Sequence, residues 1–229
     1  MKSMDRRTFL EMSFSALCVG ALTACGNNGS QQASENEAAD AKEPTIPAGT
    51  LEGGVLISPY AEGYDSGLHH ATIEVEGMGT IKVEVNATNA PITVSNFAHL
   101  VNEGFYDGLT FHRVVKGFMI QGGSPNGDGK GGSGTKVKGE FSENGVVNAI
   151  QHKRGVISMA RSSANDSGST QFFIMHEDNT SIDGKYAAFG KVTEGMDVVD
   201  KIAEIPVEDD YGTVAPENQP VITSIRMDD

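Results

Sequence analysis

The sequence has no tryptophan, few aromatic residues and a shortage of positive charge. Aromatic residues make up 7% of the 229 positions, whereas glycine occurs 28 times. So many glycines favour a chain with many turns and therefore a β-rich fold. The 17 Lys and Arg residues are outnumbered by 31 Asp and Glu residues, which gives a formal net charge of −14 at pH 7. Because a phosphate backbone repels an acidic chain, nucleic acid is excluded as a general partner.

Cysteine is also scarce, and both cysteines lie near the amino terminus. Cys18 falls inside an apolar run, residues 12–24, which is shorter than the roughly 20 residues that a membrane-spanning helix needs. The preceding segment, Asp5–Leu10, contains Arg-Arg and resembles a twin-arginine export signal. Leu22-Thr23-Ala24-Cys25 closes the run and resembles a bacterial lipobox, in which the enzyme cuts before the cysteine and the thiol carries a diacylglycerol. A signal cleaved elsewhere, with an incidental cysteine, is the alternative.

These features divide the chain into three segments. Residues 1–24 are predicted to be a signal peptide, residues 25–54 a lipidated Cys25 with a disordered linker, and residues 55–229 one folded domain. The linker is polar and charged, so it offers little apolar surface to offset the entropy lost on ordering. We expect an exported protein that is lipid-anchored to the bacterial cell membrane. Cleavage would remove Cys18, so the mature chain would have no disulfide and no cysteine metal site.

Strand and helix patterns fill the chain from residue 70 onward. Residues 70–75 and 80–86 read as two strands, and the second alternates apolar and polar side chains. A helix is predicted to begin at Pro91, where a missing N–H costs nothing. A second helix is predicted over residues 194–202 and a closing strand over residues 220–225. Many strands, few helices and no β-α-β alternation favour an antiparallel barrel or sandwich.

The most informative stretch is Phe111–Gly123, with the sequence FHRVVKGFMIQGG. It reads as two short strands around a bend at Gly117. Alternation along the first strand predicts that Arg113 shares a face with Phe111 and Val115. The residues that could converge on one surface are Arg113, Phe118, Met119 and Gln121. A concave apolar surface with one cation and one amide suits a peptide better than a sugar or a phosphate. An ordinary amphipathic hairpin with a solvated arginine is the alternative.

Other chemistries find little support in the sequence. The adjacent His69 and His70 would face opposite sides of a strand, and the other four histidines lack metalloprotease spacing, so no metal site is predicted. In the glycine-rich loop, residues 122–134, Lys130 is followed by Gly131, whereas a phosphate-binding loop needs Ser or Thr there. We interpret that loop as a mobile surface loop beside the site. Asp166-Ser167-Gly168 occurs once, and an aspartic protease needs two such carboxylates.

Phe111–Gly123 resembles the signature of the cyclophilins, the peptidyl-prolyl cis-trans isomerases, which runs close to F-H-R-x-x-x-G-F-M-x-Q-G-G. Every fixed position of that pattern is present. Three further blocks resemble the same family in the same order: Gly155–Arg161, Ser169–Ile174 and Ile182–Val192. The resemblance covers the chain from about residue 71 to the end. It implies a mainly β fold, a closed eight-stranded antiparallel β-barrel capped by two α-helices.

The resemblance also implies roles for individual residues, and it implies no cofactor. Arg113 matches the catalytic arginine of the family. The substrate-binding residues that it implies are His112, Phe118, Met119, Gln121, Ala160, Arg161, Gln171, Phe173, Ile182 and Tyr186. In this scheme His112 and Tyr186 line the rim of a proline pocket, and Gln121 holds a substrate carbonyl. The backbone near Ala160 pairs with the extended peptide.

The sequence therefore predicts a monomeric peptidyl-prolyl cis-trans isomerase that acts on proline-containing polypeptides, here unfolded exported proteins. A chaperone or peptide-binding module with little catalysis is one alternative, and a barrel that carries a small ligand is another. Ser181 stands where many family members carry a tryptophan at the pocket rim. Weak cyclosporin binding is therefore expected.

Overall fold

The computed structural model describes residues 48–229. In this part of the chain the elements are β1 (Leu51–Glu52), β2 (Val55–Leu56), β3 (Leu68–Val75), β4 (Gly79–Asn86), α1 (Pro91–Asn102), β5 (Phe111–Val115), β6 (Met119–Gly122), β7 (Lys136–Val137), β8 (Val156–Met159), β9 (Phe172–Met175), β10 (Ala188–Glu194), α2 (Met196–Ala203) and β11 (Ile222–Met227). Short 3-10 helices occur at Ser142–Asn144, Thr180–Ile182 and Pro216–Asn218.

The predicted signal peptide and Cys25 lie outside the described residues. Neither α1 nor α2 has the length and apolar character needed to cross a bilayer.

Eight strands form one antiparallel sheet in the order β11-β3-β4-β10-β8-β9-β6-β5. The sheet curls until its two edge strands approach each other. Thr110 pairs with Val221 across that gap, and the Phe111 N–H donates to the Pro220 carbonyl at 3.0 Å. The predicted mainly β architecture of eight antiparallel strands and two helices is confirmed, and the contact between the sheet edges is limited to this short stretch.

The predicted elements match the observed ones to within a few residues. The strands predicted at residues 70–75 and 80–86 are β3 and β4, and α1 begins at Pro91 as expected. The second helix begins at Met196, two residues later than predicted. Glu194 still belongs to β10, and Gly195 separates strand from helix with a φ of 90°. Glycine adopts that left-handed conformation at little cost.

The amino end of α1 is held by a buried carboxylate that the sequence analysis did not identify. Oε1 of Glu140 accepts a hydrogen bond from the Ile92 N–H at 2.9 Å, and Oε2 accepts from the N–H and the hydroxyl of Thr93 at 2.8 and 2.6 Å. Ala90, at the N-cap, supplies no side-chain hydrogen bond. Burial raises the pKa of Glu140, while the hydrogen bonds from Thr93 act in the opposite direction. A carboxylate at this position satisfies free amide groups of the helix and complements its dipole.

Residues 48–67, the amino-terminal arm, pack onto the barrel. β1 and β2 form a small antiparallel pair, and β2 pairs in parallel with β7. Leu56 is fully buried in the main core. The Tyr60 N–H donates to Oγ of Ser95 on α1 at 2.7 Å. β1 lies within residues 25–54, for which the sequence predicts a linker, so the last residues of that segment belong to a sheet.

The main core lies inside the curled sheet, between the strands and the helices. Phe97 of α1 stands at its centre, with ring centroids 5.5, 5.9 and 5.4 Å from those of Tyr106, Phe172 and Phe189. Phe173 follows Phe172 on β9 and belongs to a second, smaller apolar cluster. Since successive side chains of a strand point to opposite faces, this second cluster lies on the outer face of the sheet.

Candidate active site

Four neighbouring strands present one row of side chains on the outer face of the sheet, and three of these residues were predicted for the site. Arg113 on β5 is the cross-strand partner of Gln121 on β6, and Gln121 is the partner of Phe173 on β9. Ser158 on β8 continues the row as a partner of Phe173. Directly opposite residues of paired strands share a face and lie close together. The sheet register therefore places a cation, an amide and an aromatic ring side by side.

A cavity of about 90 Å³ opens beside this row. Its lining consists of Arg113, Phe118, Met119, Gln121, Ala160, Arg161, Phe173, Ile182 and Tyr186. All of these residues were predicted from the sequence. Met119 and Phe173 are only 2% and 5% exposed, so the floor of the cavity is apolar and firmly packed. The cation and the amide lie on one side of this floor.

A chain of hydrogen bonds fixes the polar side of the cavity. Nη1 of Arg113 donates to Oε1 of Gln121 at 3.1 Å, and Nε2 of Gln121 donates to Oε1 of Gln171 at 3.0 Å. Nε2 of Gln171 donates in turn to the Gly129 carbonyl at 3.0 Å. Gln121 keeps one amide hydrogen for another acceptor, because each amide nitrogen carries two. Burial lowers the pKa of Arg113, and Tyr186 and Asp209 oppose the shift. A guanidinium remains charged at physiological pH.

A β-bulge between Phe111 and Arg113 moves two side chains from their predicted places. Phe111 is fully buried in the main core and does not share the face of Arg113. The extra residue of a bulge interrupts the alternation of the strand. His112, predicted at the rim, does not line the cavity and is 4% exposed. A Cβ on Gly129 would lie 3.6 Å from the imidazole, so His112 lies beneath the glycine-rich loop.

His112 is an unpaired buried ring. Neither of its nitrogens has a hydrogen-bond partner of good geometry within residues 48–229. Burial lowers the pKa of His112 to about 4. The ring is therefore neutral at physiological pH and serves the site by packing. The sequence pattern alone did not distinguish this buried position from one at the rim.

Arg161 is packed between two aromatic rings. Its Cζ lies 4.9 Å from the ring centre of Phe141 and 5.0 Å from that of Tyr186, and its Nε donates to the Lys185 carbonyl at 2.8 Å. Tyr186 meets Phe173 edge-to-face, with ring centroids 5.5 Å apart. Arg161 thus holds Tyr186, at the rim, against the floor of the cavity.

A Ser–His–Asp chain with a buried serine and histidine lies behind the cavity, and the sequence analysis did not identify it. His152 is hydrogen-bonded through Nδ1 to Asp183 at 2.9 Å and through Nε2 to Oγ of Ser158 at 3.1 Å. Its ring stacks on Phe173 at a centroid distance of 6.0 Å. Ser158 and His152 are both fully buried, so the serine hydroxyl is inaccessible to a substrate and the chain is not a hydrolase triad. It supports the cavity floor and, through Asp183, the segment that carries Ile182.

A second groove of about 390 Å³ adjoins the cavity. Gly129, Lys130 and Gly131 of the glycine-rich loop line it, together with Gln171. Ala160 lines both the groove and the cavity. Its N–H donates to the Gln171 carbonyl at 2.9 Å, which leaves the Ala160 carbonyl as the group able to accept a bond from an extended peptide.

Comparisons with known proteins agree with this geometry. Residues 70–227 match the family model of the cyclophilin type peptidyl-prolyl cis-trans isomerases. A peptidyl-prolyl cis-trans isomerase of Helicobacter pylori is 46% identical over 137 residues, which cover 59% of this chain and 80% of the relative. Peptidyl-prolyl cis-trans isomerase B of Bacillus subtilis is 46% identical over 123 residues, which cover 54% of this chain and 82% of the relative.

Solved structures show the same similarity. A cyclophilin type peptidyl-prolyl cis-trans isomerase of Cryptosporidium parvum superposes with a TM-score of 0.63 at 27% identity, over 71% of this chain and 99% of that protein. The structure of that protein determined in the presence of the dipeptide Ala-Pro gives a TM-score of 0.62 at 28% identity, over 70% of this chain and 99% of that protein. The family match, the eight-stranded antiparallel sheet and the row of Arg113, Gln121 and Phe173 lead to one conclusion: the chain belongs to the cyclophilin-type peptidyl-prolyl cis-trans isomerases.

Proposed function

We propose that the cavity beside Arg113 is the place where this isomerase rotates X–Pro bonds, and that its clients are unfolded exported proteins. The observation that carries the proposal is a guanidinium fixed on two sides at the edge of an apolar cavity. Nη1 of Arg113 is bound to Gln121, and Nε is bound to the Tyr211 carbonyl at 2.7 Å. Nη2 donates to no atom of residues 48–229, so it is the group able to meet a substrate.

Rotation about an X–Pro bond needs no nucleophile and no base. The barrier is the loss of amide resonance, about 18–20 kcal/mol. At the twisted transition state the nitrogen regains a lone pair, and the carbonyl loses part of its dipole. A charged donor directed at that nitrogen stabilises the transition state more than the ground state, which is the condition for raising kcat. We assign this role to Arg113.

The apolar walls hold the proline ring. Phe118, Met119, Phe173 and Ile182 surround the space that the ring would occupy. An apolar environment disfavours the strongly polar planar amide relative to the less polar twisted one. The remaining amide hydrogen of Gln121 is placed to hold a peptide carbonyl, and the Ala160 carbonyl to accept an N–H of the extended peptide. The enzyme thus binds one side of the bond while the other side turns.

A peptide-binding module that has kept the fold but little catalysis is the second candidate. The hydrogen-bond chain from Arg113 through Gln121 to Gln171 argues against it. Binding of an extended peptide alone requires no cation whose direction is fixed on two sides. This protein has the complete arrangement of Arg113, Gln121 and Gln171.

A proline-isomerisation assay on the full-length chain tests the proposed site. The Cryptosporidium relative was studied with Ala-Pro, and we choose a short peptide with the same two residues as the probe. We expect acceleration that Arg113→Ala reduces by roughly 10²-fold in kcat/KM, the effect of removing one well-placed charge-stabilising donor. Arg113→Lys should recover only a small part, because an ammonium lacks the fork that binds two partners. Equal activity of wild type and Arg113→Ala would refute the assigned role of Arg113, as would loss of activity with a metal chelator.

We further propose that the mature chain begins at Cys25 and is anchored to the membrane by acyl chains on that residue. The lipobox-like Leu22–Cys25 at the end of the apolar run supports this. Acyl chains contribute about 0.8 kcal/mol per buried CH₂, and two signals suffice for stable anchoring. Intact-mass measurement of membrane-extracted protein should show the lipid. Cys25→Ser should move the protein into the soluble fraction, and an unchanged membrane fraction would refute the anchor.

A further inference from the structure

The segment between α2 and β11 runs along the free edge of β5. Gly212 and Val214 pair with β5 on either side of Arg113: the Val114 N–H donates to the Gly212 carbonyl at 2.8 Å, and the Val214 N–H donates to the His112 carbonyl at 3.0 Å. Residues 208–213, which we call the arginine turn, therefore extend the sheet at the position of the proposed catalytic arginine.

The arginine turn directs one backbone carbonyl at the guanidinium. Tyr211 accepts a hydrogen bond from Nε of Arg113 at 2.7 Å, although the two residues are 98 positions apart in the chain. Gln121 accepts from Nη1 on the other side. A free arginine side chain loses rotamer entropy when it is fixed in one position. Because Nε and Nη1 are both bound in the folded protein, this entropy is lost during folding and not during catalysis.

Asp209 holds the turn in the conformation that directs this carbonyl. Its Oδ1 accepts from the N–H groups of Tyr211 and Thr213 at 3.0 Å each, and its Oδ2 accepts from the Thr213 hydroxyl at 2.8 Å. Hydrogen bonds from Thr213 are the largest cause that lowers the pKa of Asp209. One carboxylate therefore fixes the backbone on both sides of the Tyr211 carbonyl.

Gly212 completes the turn. Its φ is 86°, a left-handed conformation that other residues adopt only at a cost. A Cβ at this position would overlap the Val114 carbonyl oxygen, which leaves no room for any side chain. The close approach of the turn to β5 thus depends on glycine.

We propose that Asp209 is a positioning residue for isomerisation, acting through the Tyr211 carbonyl on the direction of the Arg113 guanidinium. This inference rests on the proposed function, since it requires Arg113 to act in the transition state. An interaction made only in the transition state changes kcat and leaves KM nearly constant. Asp209 does not line the cavity, so its contribution to the rate depends on Arg113.

The test compares Asp209→Ala with Asp210→Ala in the full-length chain. Asp210 is exposed, carries the same charge and makes no hydrogen bond within residues 48–229, so it is the matched control. We expect Asp209→Ala to lower kcat on the Ala-Pro peptide by about tenfold with KM changed by less than about twofold. Asp209→Asn should recover most of kcat, because the amide oxygen can accept the same two backbone hydrogen bonds. Asp210→Ala should retain the wild-type constants.

Two further measurements separate positioning from general stability. The Nε–H signal of Arg113 in the NMR spectrum, assigned by its loss in Arg113→Ala, should exchange with solvent faster in Asp209→Ala than in the wild type. In the Arg113→Ala background, adding Asp209→Ala should lower the residual kcat/KM no further, since residues that act as a unit are non-additive. If the turn only stabilised the fold, Asp209→Ala would leave the exchange rate unchanged. Its effect on kcat/KM would then be the same with and without Arg113.

The outcomes distinguish this inference from the proposed function. If Arg113→Ala loses activity while Asp209→Ala keeps the wild-type kcat, the positioning role is overturned and the role of Arg113 stands. Equal losses in Asp209→Ala and Asp210→Ala, or no recovery in Asp209→Asn, would also overturn the positioning role, because charge would then be the cause. If Arg113→Ala keeps full activity, the proposed role of Arg113 itself fails, whatever Asp209 does.

Discussion

Arg113 and Gln121 are cross-strand partners on β5 and β6, and Nη1 of the guanidinium donates a 3.1 Å hydrogen bond to the Gln121 amide oxygen. The same amide donates to Gln171, which reaches the Gly129 carbonyl in the glycine-rich loop. Gln121 therefore links the cation to that loop. A flip of its amide group would break the hydrogen bonds to both Arg113 and Gln171.

The first prediction concerns this link. Gln121→Leu removes the acceptor for Arg113 and the donor for a substrate carbonyl while keeping the apolar volume. We expect kcat/KM on the Ala-Pro peptide to fall by about tenfold, since a hydrogen bond to a charged group is worth about 1.5–3 kcal/mol. Gln151→Leu is the control, because Gln151 is exposed and its side chain makes no hydrogen bond within residues 48–229. Activity equal to the wild type in Gln121→Leu would contradict a role for the link.

The second prediction is a pH dependence of stability that comes from His112. Burial lowers the pKa of His112 from an ordinary 6.5 to about 4. Between these values the unfolded chain binds more protons at this ring than the folded chain does. The contribution to the free energy of unfolding is therefore complete above pH 6.5 and is lost as pH falls towards 4. Each unit of pKa difference corresponds to about 1.4 kcal/mol.

Denaturant titrations at pH 7 and pH 4.5 check this. His112→Leu should lose less stability between the two values than the wild type does. The slope will not vanish, because burial also lowers the pKa of His152, whereas Glu140 works in the opposite direction with a raised pKa. An identical pH slope in His112→Leu and wild type would show that the ring is not the source.

The third prediction concerns the amino-terminal arm, residues 48–67, which lies before the family match at residues 70–227. Leu56 is fully buried, whereas Leu51, in the same arm, is 53% exposed. Leu56→Ala should lower the free energy of unfolding by about 2–5 kcal/mol, the cost of a cavity in a packed core. Leu51→Ala should change it by less than about 0.5 kcal/mol. Equal effects of the two substitutions would mean that the arm does not pack as part of the barrel.

Local pattern was enough to predict much of the site. Arg113, Met119 and Gln121 occupy one hairpin, so the bend at Gly117, which has a φ of 78°, and the alternation of the strands place them together. The later positions, such as Phe173 and Ile182, could be assigned only through the resemblance. Their proximity to Arg113 depends on the order of strands in the sheet, which no periodicity within a strand specifies.

What the sequence analysis missed depends on an irregular strand or on long-range contacts. The bulge that buries Phe111 and His112 adds one residue to one strand and leaves the composition unchanged. Glu140 caps a helix that begins at Pro91, and the Tyr211 carbonyl acts through its backbone. Neither contact follows from the type of the residue. The Ser–His–Asp chain joins residues that become neighbours only when β8 and the segment after β9 pack together.

The last prediction concerns cyclosporin. Many members of this family carry a tryptophan at the rim position where this chain has Ser181. Ser181 is exposed in the short helix Thr180–Ile182 and is hydrogen-bonded to Asn179 at 2.6 Å. Its neighbour Ile182 lines the cavity, so a larger side chain at position 181 would extend the same wall. An indole would add an N–H donor and a broad apolar face that serine lacks.

Losing one such contact costs about 1–3 kcal/mol, which is roughly five- to 150-fold in affinity. We therefore expect weak inhibition of the wild type by cyclosporin and much tighter inhibition of Ser181→Trp. Turnover of the Ala-Pro peptide should change far less, because the cavity floor of Met119 and Phe173 is unaltered. Ser66→Trp, at an exposed serine of the amino-terminal arm, controls for the added indole. Tight inhibition of the wild type would show that another residue, such as Tyr186, already fills the rim.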